Sequence, residues 1–411
     1  MTKRDWIKAI VACRKDVPTA QYWMSFFNAD TAKNMTPRSC HFDPMGLYGS
    51  GCEFDKQGMS NDALDGLIRF NNYTDRCFAC LGKGAATMFG HGGPGEFFCK
   101  LVKEKSDHMI VVYETGVKVK VNFKPHFYHS FEYPVTNHED LKTLHLPNPH
   151  DPKRYEGLAH NARYLRDKGQ YVVGSLNGFF SGIHYFLMDY QETLMALITE
   201  PALIHAAVEK LGHWNLAVAE HMIKAGVDGL ALCDDLGSKL NLLMAPQQYR
   251  EFFKPWHKKL CDLAHSLNAT VHLHSHGAIH EILDDLVDCG FDFVNPFDPE
   301  EGFDIQQILQ DYSDKFVVVG GFPGSFWYWS PEKQNEYLYK MAALGRKYPR
   351  FIFMDASGVP EDLSAEVFAR ITAVSKKARG LHEGTIKSVG RPSSHGTSSR
   401  QAISPIAKKP K

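Results

Sequence analysis

Three histidines stand at alternate positions in the run TVHLHSHG (270–277): His272, His274 and His276. Side chains two residues apart on a strand point the same way, so the imidazoles share one face where the strand continues. Two neutral imidazoles at a strand's mouth can converge on one divalent ion, and their nitrogens suit zinc. His274 and His276 are therefore the candidate ligand or proton-transfer pair, since imidazole titrates near neutrality. His272 lies deeper and reads as a packed, hydrogen-bonded residue. The preceding apolar run ends in Asp234-Asp235. Neighbours on a strand face opposite ways, so one of these carboxylates enters the same space. There it can accept a proton, bind substrate or complete a two-His-one-carboxylate set. The competing reading is a helix cap or a salt bridge. Asp355 and Ser357 follow the last apolar run and are weaker candidates of the same kind.

These residues need a scaffold that gathers strand ends. From about residue 153, short apolar runs alternate with long amphipathic segments. The runs are 171–176 (YVVGSL), 229–233 (GLALC), 270–273 (TVHL), 291–294 (FDFV), 316–319 (FVVV) and 351–354 (FIFM). Near-continuous apolar strands are expected in a parallel sheet covered on both faces. Helices fit 201–225 with Gly226 as C-cap, 246 onward with a kink at Pro255, 279–288, 305–312, 331–347 and 364–379. Polar residues follow every run, among them Asn177, Asp234, His274, Asn295, Gly321 and Asp355. A doubly wound sheet collects its site at one switch point, whereas a barrel draws on many strand ends. The expected fold class is α/β, a (β/α)₈ TIM barrel. Residues 1–382 are expected to form one domain, with the first strands and an inserted hairpin (109–131, turn at 114–116) within 1–150. The segment 383–411, basic and rich in Ser, Pro and Gly, is expected to be a disordered tail.

Other patterns carry less. Cys77 and Cys80 form a CxxC without a second pair and read as structural thiols. The loop GHGGPG (90–95) lacks a P-loop ending and reads as a turn. Trp327, Tyr328 and Trp329 could wall an apolar pocket or simply pack.

The formal net charge of −1 gives no electrostatic case for nucleic acid or a membrane surface. No window approaches the roughly 18 apolar residues of a membrane span, and MTKRDWIKAIVACRKD is too charged for a signal peptide. Nine scattered cysteines suit reduced thiols, so the expected compartment is the cytoplasm. A homodimer is a compatible assembly.

The segments GVDGLALCDDLGS (226–238), APQQYREFFKPWHKKL (245–260), VHLHSHG (271–277), FVNPFDP (293–299) and DASGVPEDLS (355–364) together resemble the uroporphyrinogen decarboxylase superfamily. That resemblance covers most of 150–380 and implies a (β/α)₈ barrel. It implies one of two chemistries: cofactor-free decarboxylation of uroporphyrinogen, or zinc-dependent methyl transfer between a corrinoid and a thiol. The decarboxylases carry an arginine-rich WxMRQAGR near the amino terminus. Residues 22–30 here read YWMSFFNAD, without either arginine, and a substrate with eight carboxylates needs such cations. The methyltransferases bind zinc through His-x-Cys-Gly and a distant Cys. In this sequence His274 matches the histidine, His276 takes the first cysteine's place and Ser357 the second's.

The resemblance thus implies a methyltransferase-like enzyme with a metal held by His274, His276 and Asp355 or another carboxylate. Asp234, Asp235 and Tyr185 would be catalytic, and Asn177, His184, Asn295, Gly321 and Ser357 would line the substrate site. A small-molecule substrate and a corrinoid protein are the implied partners. The alternatives are a decarboxylase, using Asp234 or Asp235 with Tyr185 or His184 nearby, and a non-enzymatic barrel that binds a tetrapyrrole or corrinoid.

Overall fold

Strands β1 (Ala20–Tyr22) and β2 (Phe78–Leu81) come first in the chain. Four more follow: β3 (Cys99–Glu104), β4 (His108–Tyr113), β5 (Lys118–Asn122) and β6 (Phe127–Glu132). Then six strands alternate with helices: β7 (Tyr171–Asn177), β8 (Gly229–Cys233), β9 (Thr270–His274), β10 (Phe293–Phe297), β11 (Val317–Phe322) and β12 (Phe351–Asp355). The computed structural model describes residues 1–23, 60–81, 99–122, 127–356, 358–360, 362–382 and 385–386. Residues 24–30, Ser357, the glycine loop at 90–95 and nearly all of the basic tail lie outside these.

Eight strands form one parallel sheet in the order β1-β12-β11-β10-β9-β8-β7-β2. The Cys77 N–H donates to the Gln21 carbonyl at 3.0 Å, joining the two ends of that order. The result is a nearly closed α/β barrel. Its strands are buried along their length, which is why they read as continuous apolar runs rather than alternating ones.

The helices obey local rules. Pro201–Ala225 opens on proline and stops at Gly226, whose φ of 106° is left-handed. Pro331–Lys347 and Ala365–Ala378 are capped by Ser330 and Ser364, whose hydroxyls accept from Lys333 N and Val367 N. Pro255, expected to kink its helix, is accommodated by one widened π turn at Tyr249–Phe253 just before it. The expected hairpin proves to be the middle of a four-stranded antiparallel sheet, β3-β4-β5-β6, with Gly116 at φ 97° between β4 and β5.

Strand parity sorts the apolar residues into two layers. Phe78, Tyr171, Val173, Ala231, Phe293, Val317, Val319, Ile352 and Met354 pack together in the lumen. The residues between them, such as Val172, Leu232, Leu273, Phe351 and Phe353, join the larger cluster under the helices. Helix Lys3–Val11 closes the floor of the lumen. Its Trp6, Ile7 and Ile10 belong to the lumen cluster, Arg4 pairs with Asp228 at 2.8 Å, and Lys3 Nζ donates to two carbonyls near β2. Trp6 is 1% exposed and its indole N–H donates to the Pro18 carbonyl at 2.6 Å. Trp6→Ala should therefore lower the unfolding free energy by about 3–5 kcal/mol in denaturant titration. A loss under about 1 kcal/mol would mean that the helix is not the floor of the core.

Candidate functional site

Register places four polar side chains at one level of the barrel mouth. Asn177 pairs with Cys233, Cys233 with His274, and His274 with Asn295. Directly paired residues of parallel strands face the same side. Two residues further in, Ala231, His272 and Phe293 lie in the lumen, so the mouth quartet also faces inward.

His272 is deep in that lumen, stacked on Phe293 with ring centroids 3.8 Å apart and bonded to Thr270 Oγ1 at 3.1 Å. Burial pushes its pKa down to about 3. It is the packed histidine that its depth suggested.

His274 is fully buried. Asn295 fixes its orientation: the Asn295 amide NH₂ donates to the Leu273 carbonyl at 3.0 Å, so its oxygen accepts from His274 Nδ1 at 2.8 Å. The proton therefore sits on Nδ1, and Nε2 carries the lone pair. Nε2 faces Asp235 Oδ1 at 3.8 Å. Burial, and then the neighbouring His276, lower the pKa of His274 to about 4, so the ring is neutral at pH 7.

The two aspartates divide as strand parity requires. Asp234, fully buried, accepts from the backbone N–H groups of Phe179, Phe180 and Ser181 at 2.8–3.0 Å. It also pairs with His257 Nε2 at 3.0 Å, and His257 in turn meets the Tyr249 hydroxyl at 3.0 Å. Those contacts occupy its oxygens and hold the start of helix Phe179–Phe186. Asp234 thus takes the helix-cap and ion-pair arrangement, turned away from the lumen, rather than the place of a proton acceptor at the mouth. Asp235 has the lumen parity of Cys233. Its N–H donates to Ser181 Oγ, its Oδ1 accepts from His276 N at 2.9 Å, and its side chain is 29% exposed.

Donor atoms of Cys233, Asp235 and His274 all lie within 4.8 Å of one another, the one such set of three among the described residues. A thiol, a carboxylate and an imidazole lone pair turned toward one space form a set that a cation satisfies. The expected set was different. His276 turns to Glu301, its Nδ1 meeting Oε1 at 3.0 Å, and is outside the group. Burial lowers its pKa, but the Glu301 hydrogen bond and the charges of Asp235, Glu301 and Asp298 outweigh burial and raise it. Asp355 shares the parity of Phe351 and Phe353, which pack under the helices, whereas Met354 faces the lumen. The register therefore does not bring Asp355 to the set at the mouth. Ser357 lies outside the described residues. Cys233 was missed because it was read as the last apolar residue of its strand; its parity with Asp235 was the available signal.

Around Asp235 stand aromatic groups from the helix that Asp234 caps and from the next one. His184 is 7% exposed and contacts Tyr185 and Tyr190, with centroids 4.4 and 5.1 Å away. Burial takes His184 down to about 4 and raises the Tyr185 hydroxyl, with Asp235 and Cys233 adding to the latter. Asn177 is 3% exposed and its Nδ2 has no hydrogen-bond partner among the described residues. Gly321 does not line this space. Its φ is 92°, and a Cβ there would meet Phe351 and Ile305 at 3.2 and 3.3 Å, on the helix side. Trp327 packs on Trp23 and Phe368, and Tyr328 is exposed, so neither walls the mouth. Cys77 and Cys80 are buried free thiols.

Known proteins agree with this architecture. A methyltransferase from Methanosarcina mazei superimposes with a TM-score of 0.62 at 15% identity, over 92% of this chain and 99% of that one. That likeness speaks for the fold. Methylcobamide:CoM methyltransferase MtaA of Methanosarcina barkeri is 30% identical over 105 residues, 26% of this chain and 27% of that protein. The protein of the same name from strain Fusaro is 30% identical over 149 residues, 36% and 40% respectively. The chain thus matches well under half the length of these curated relatives. Residues 105–378 match the family described as Uroporphyrinogen decarboxylase (URO-D). Covering three strands of the antiparallel sheet and β7 to β12, that match means that the chain belongs to the uroporphyrinogen decarboxylase family.

Proposed function

We propose that this protein is an enzyme of methyltransferase type, moving a methyl group from a small donor or a corrinoid to a thiol at the barrel mouth. The observation that carries this reading is the convergence of Cys233, Asp235 and His274 within 4.8 Å. These residues would hold a divalent ion, and one soft thiolate with nitrogen and oxygen donors suits zinc. Such an ion would supply Lewis acidity, lowering the pKa of a bound thiol. Curated relatives that carry out methyl transfer support the reaction class.

The chain's own residues take the remaining roles. Asn295 keeps the proton of His274 on Nδ1 and so keeps Nε2 available. As the acceptor sulfur forms its bond to the methyl group, the donor–methyl bond breaks with its electron pair left on the donor. Asp235, exposed on one side, takes the thiol proton through the oxygen it does not give to the ion and passes it to solvent. Tyr185 and His184 exclude water from that side, and the Asn177 amide donates to the substrate. Ser357 stays a proposed neighbour of the substrate. His276 stands at the rim. Residues 1–382 act as one catalytic unit in this reading, with a corrinoid-carrying protein as its methyl source and a homodimer as a compatible assembly.

Zinc-loaded wild type should retain about one equivalent per chain after desalting, measured by plasma mass spectrometry. His274→Ala and Cys233→Ser should each lose most of it, and Asn295→Ala should weaken zinc affinity about 10–100-fold. Equal metal in wild type, His274→Ala and Cys233→Ser would remove the assignment. Asp234→Asn breaks a buried pair and should cost about 3–5 kcal/mol of stability while leaving zinc content per folded chain unchanged. Loss of zinc without loss of stability would return Asp234 to the site.

A further inference from the structure

Beside the proposed metal set lies a separate cavity of about 230 Å³, bounded by the loops after β8, β9 and β10. His276, Asp298, Glu300 and Glu301 line it, with Lys239. Three carboxylates thus face one ammonium, and Lys239 takes part in none of the ion pairs among the described residues.

Asp298 is buried, and Glu301 is half-buried with one of its oxygens fully covered. Asp298 is 5% exposed; one oxygen accepts the Glu300 N–H at 2.8 Å, and the side chain makes no other hydrogen bond among the described residues. Glu301 gives Oε1 to His276, while its Oε2 is buried with no hydrogen-bond partner among the described residues. A buried carboxylate with an unfilled oxygen is costly unless a cation or donor completes it. Burial, and then Glu301 and Glu300, push the Asp298 carboxyl up to about 6, in keeping with that cost.

The two loops that face those carboxylates, after β8 and β9, are locked together. Gly277, at φ 91°, lies so close to the Gly237 backbone that no side chain fits. Ala278 N–H donates to Ser238 O at 2.8 Å, and Gly237 N–H to His276 O at 3.2 Å.

Two observations choose the ligand class. The cavity's carboxylates and His276 are not gathered within 4.8 Å as Cys233, Asp235 and His274 are, so they are spaced for something wider than a metal ion. The volume is also several times a water molecule's share of about 30 Å³. An organic cation meets both conditions. His276 links the two places: it lines the cavity, and its ring centroid is 5.0 Å from that of His274.

We propose that this cavity binds the ammonium end of a small substrate, so that the methyl acceptor is an aminothiol rather than an anionic thiol. The word "acceptor" rests on the methyl-transfer reading; the ammonium site does not.

The test is calorimetry on the full chain, zinc-loaded and metal-free, with four probes. Propylamine carries the ammonium alone, cysteamine carries ammonium and thiol, 2-mercaptoethanol is neutral and 2-mercaptoethanesulfonate is anionic. Propylamine should bind both forms equally, and cysteamine should bind the zinc form about tenfold or more tightly than 2-mercaptoethanol does. Asp298→Asn keeps an acceptor for Glu300 N, and Glu301→Gln keeps one for His276. Each should weaken propylamine about tenfold with zinc content and melting temperature unchanged. Absence of propylamine binding, equal binding by wild type and both variants, or a sulfonate thiol bound as tightly as cysteamine would overturn the proposal. Propylamine binding that both variants weaken, without methyl transfer to any thiol, would sustain the ammonium site and sink the methyl-transfer reading. Transfer to all three thiols at one rate would do the reverse.

Discussion

A residue near the end of a barrel strand faces either the lumen or the helices, and the alternation admits no intermediate answer. That constraint orders the whole upper half of this molecule. It sets Asn177, Cys233, His274 and Asn295 on one level of the lumen, because each is paired with the next in parallel register. It also separates Asp234 from Asp235, two identical side chains joined by one peptide bond. The first turns outward to three backbone N–H groups and His257; the second turns inward to His274. A shift of one residue in β8 would exchange their roles and move Cys233 out of the mouth.

The outward aspartate and the inward group depend on each other. Asp234 anchors the first turn of helix Phe179–Phe186, the helix that carries His184 and Tyr185. Ser181 of the same turn accepts the Asp235 N–H. A carboxylate on one side of the strand therefore anchors the helix whose aromatic residues stand beside Asp235 on the other. The histidines show the same dependence on surroundings. His272 and His274 are kept neutral mainly by burial, whereas His276, two residues along, is raised by Glu301 and the nearby acids.

Much of the fold was legible because it rests on local rules. The apolar runs at 229–233, 270–273 and 351–354 are strands almost to the residue, and the helices at 305–312 and 331–347 match Ile305–Tyr312 and Pro331–Lys347. Gly226 ends its helix as its position suggested. The inserted sheet was half legible: its central turn shows as an alternation broken by glycine, but β3 and β6 pair through contacts that no short window contains. The placement of side chains at the mouth was legible where parity alone decides, as with His272, His274 and the division of the aspartates. It was not legible where a partner across the barrel decides. Nothing local in FVNPFDPEE says that Glu301 will reach back to His276 and draw it away from His274. Nothing local in FIFMD says that the strand is still regular at Asp355, so that its carboxylate falls on the helix side.

The outcome is a mouth with two electrostatic characters, one on each side of the His274–His276 pair. Toward β8, a thiol, one carboxylate and a neutral imidazole converge on a point, a geometry for a compact ion. Toward β10, carboxylates surround a volume, a geometry for a larger and softer cation. His276 cannot serve both sides at full strength, because its hydrogen bond to Glu301 commits its ring to the second. In the proposed site Cys233 would supply the soft donor from β8, and His276, turned to Glu301, stands between that site and the acidic cavity.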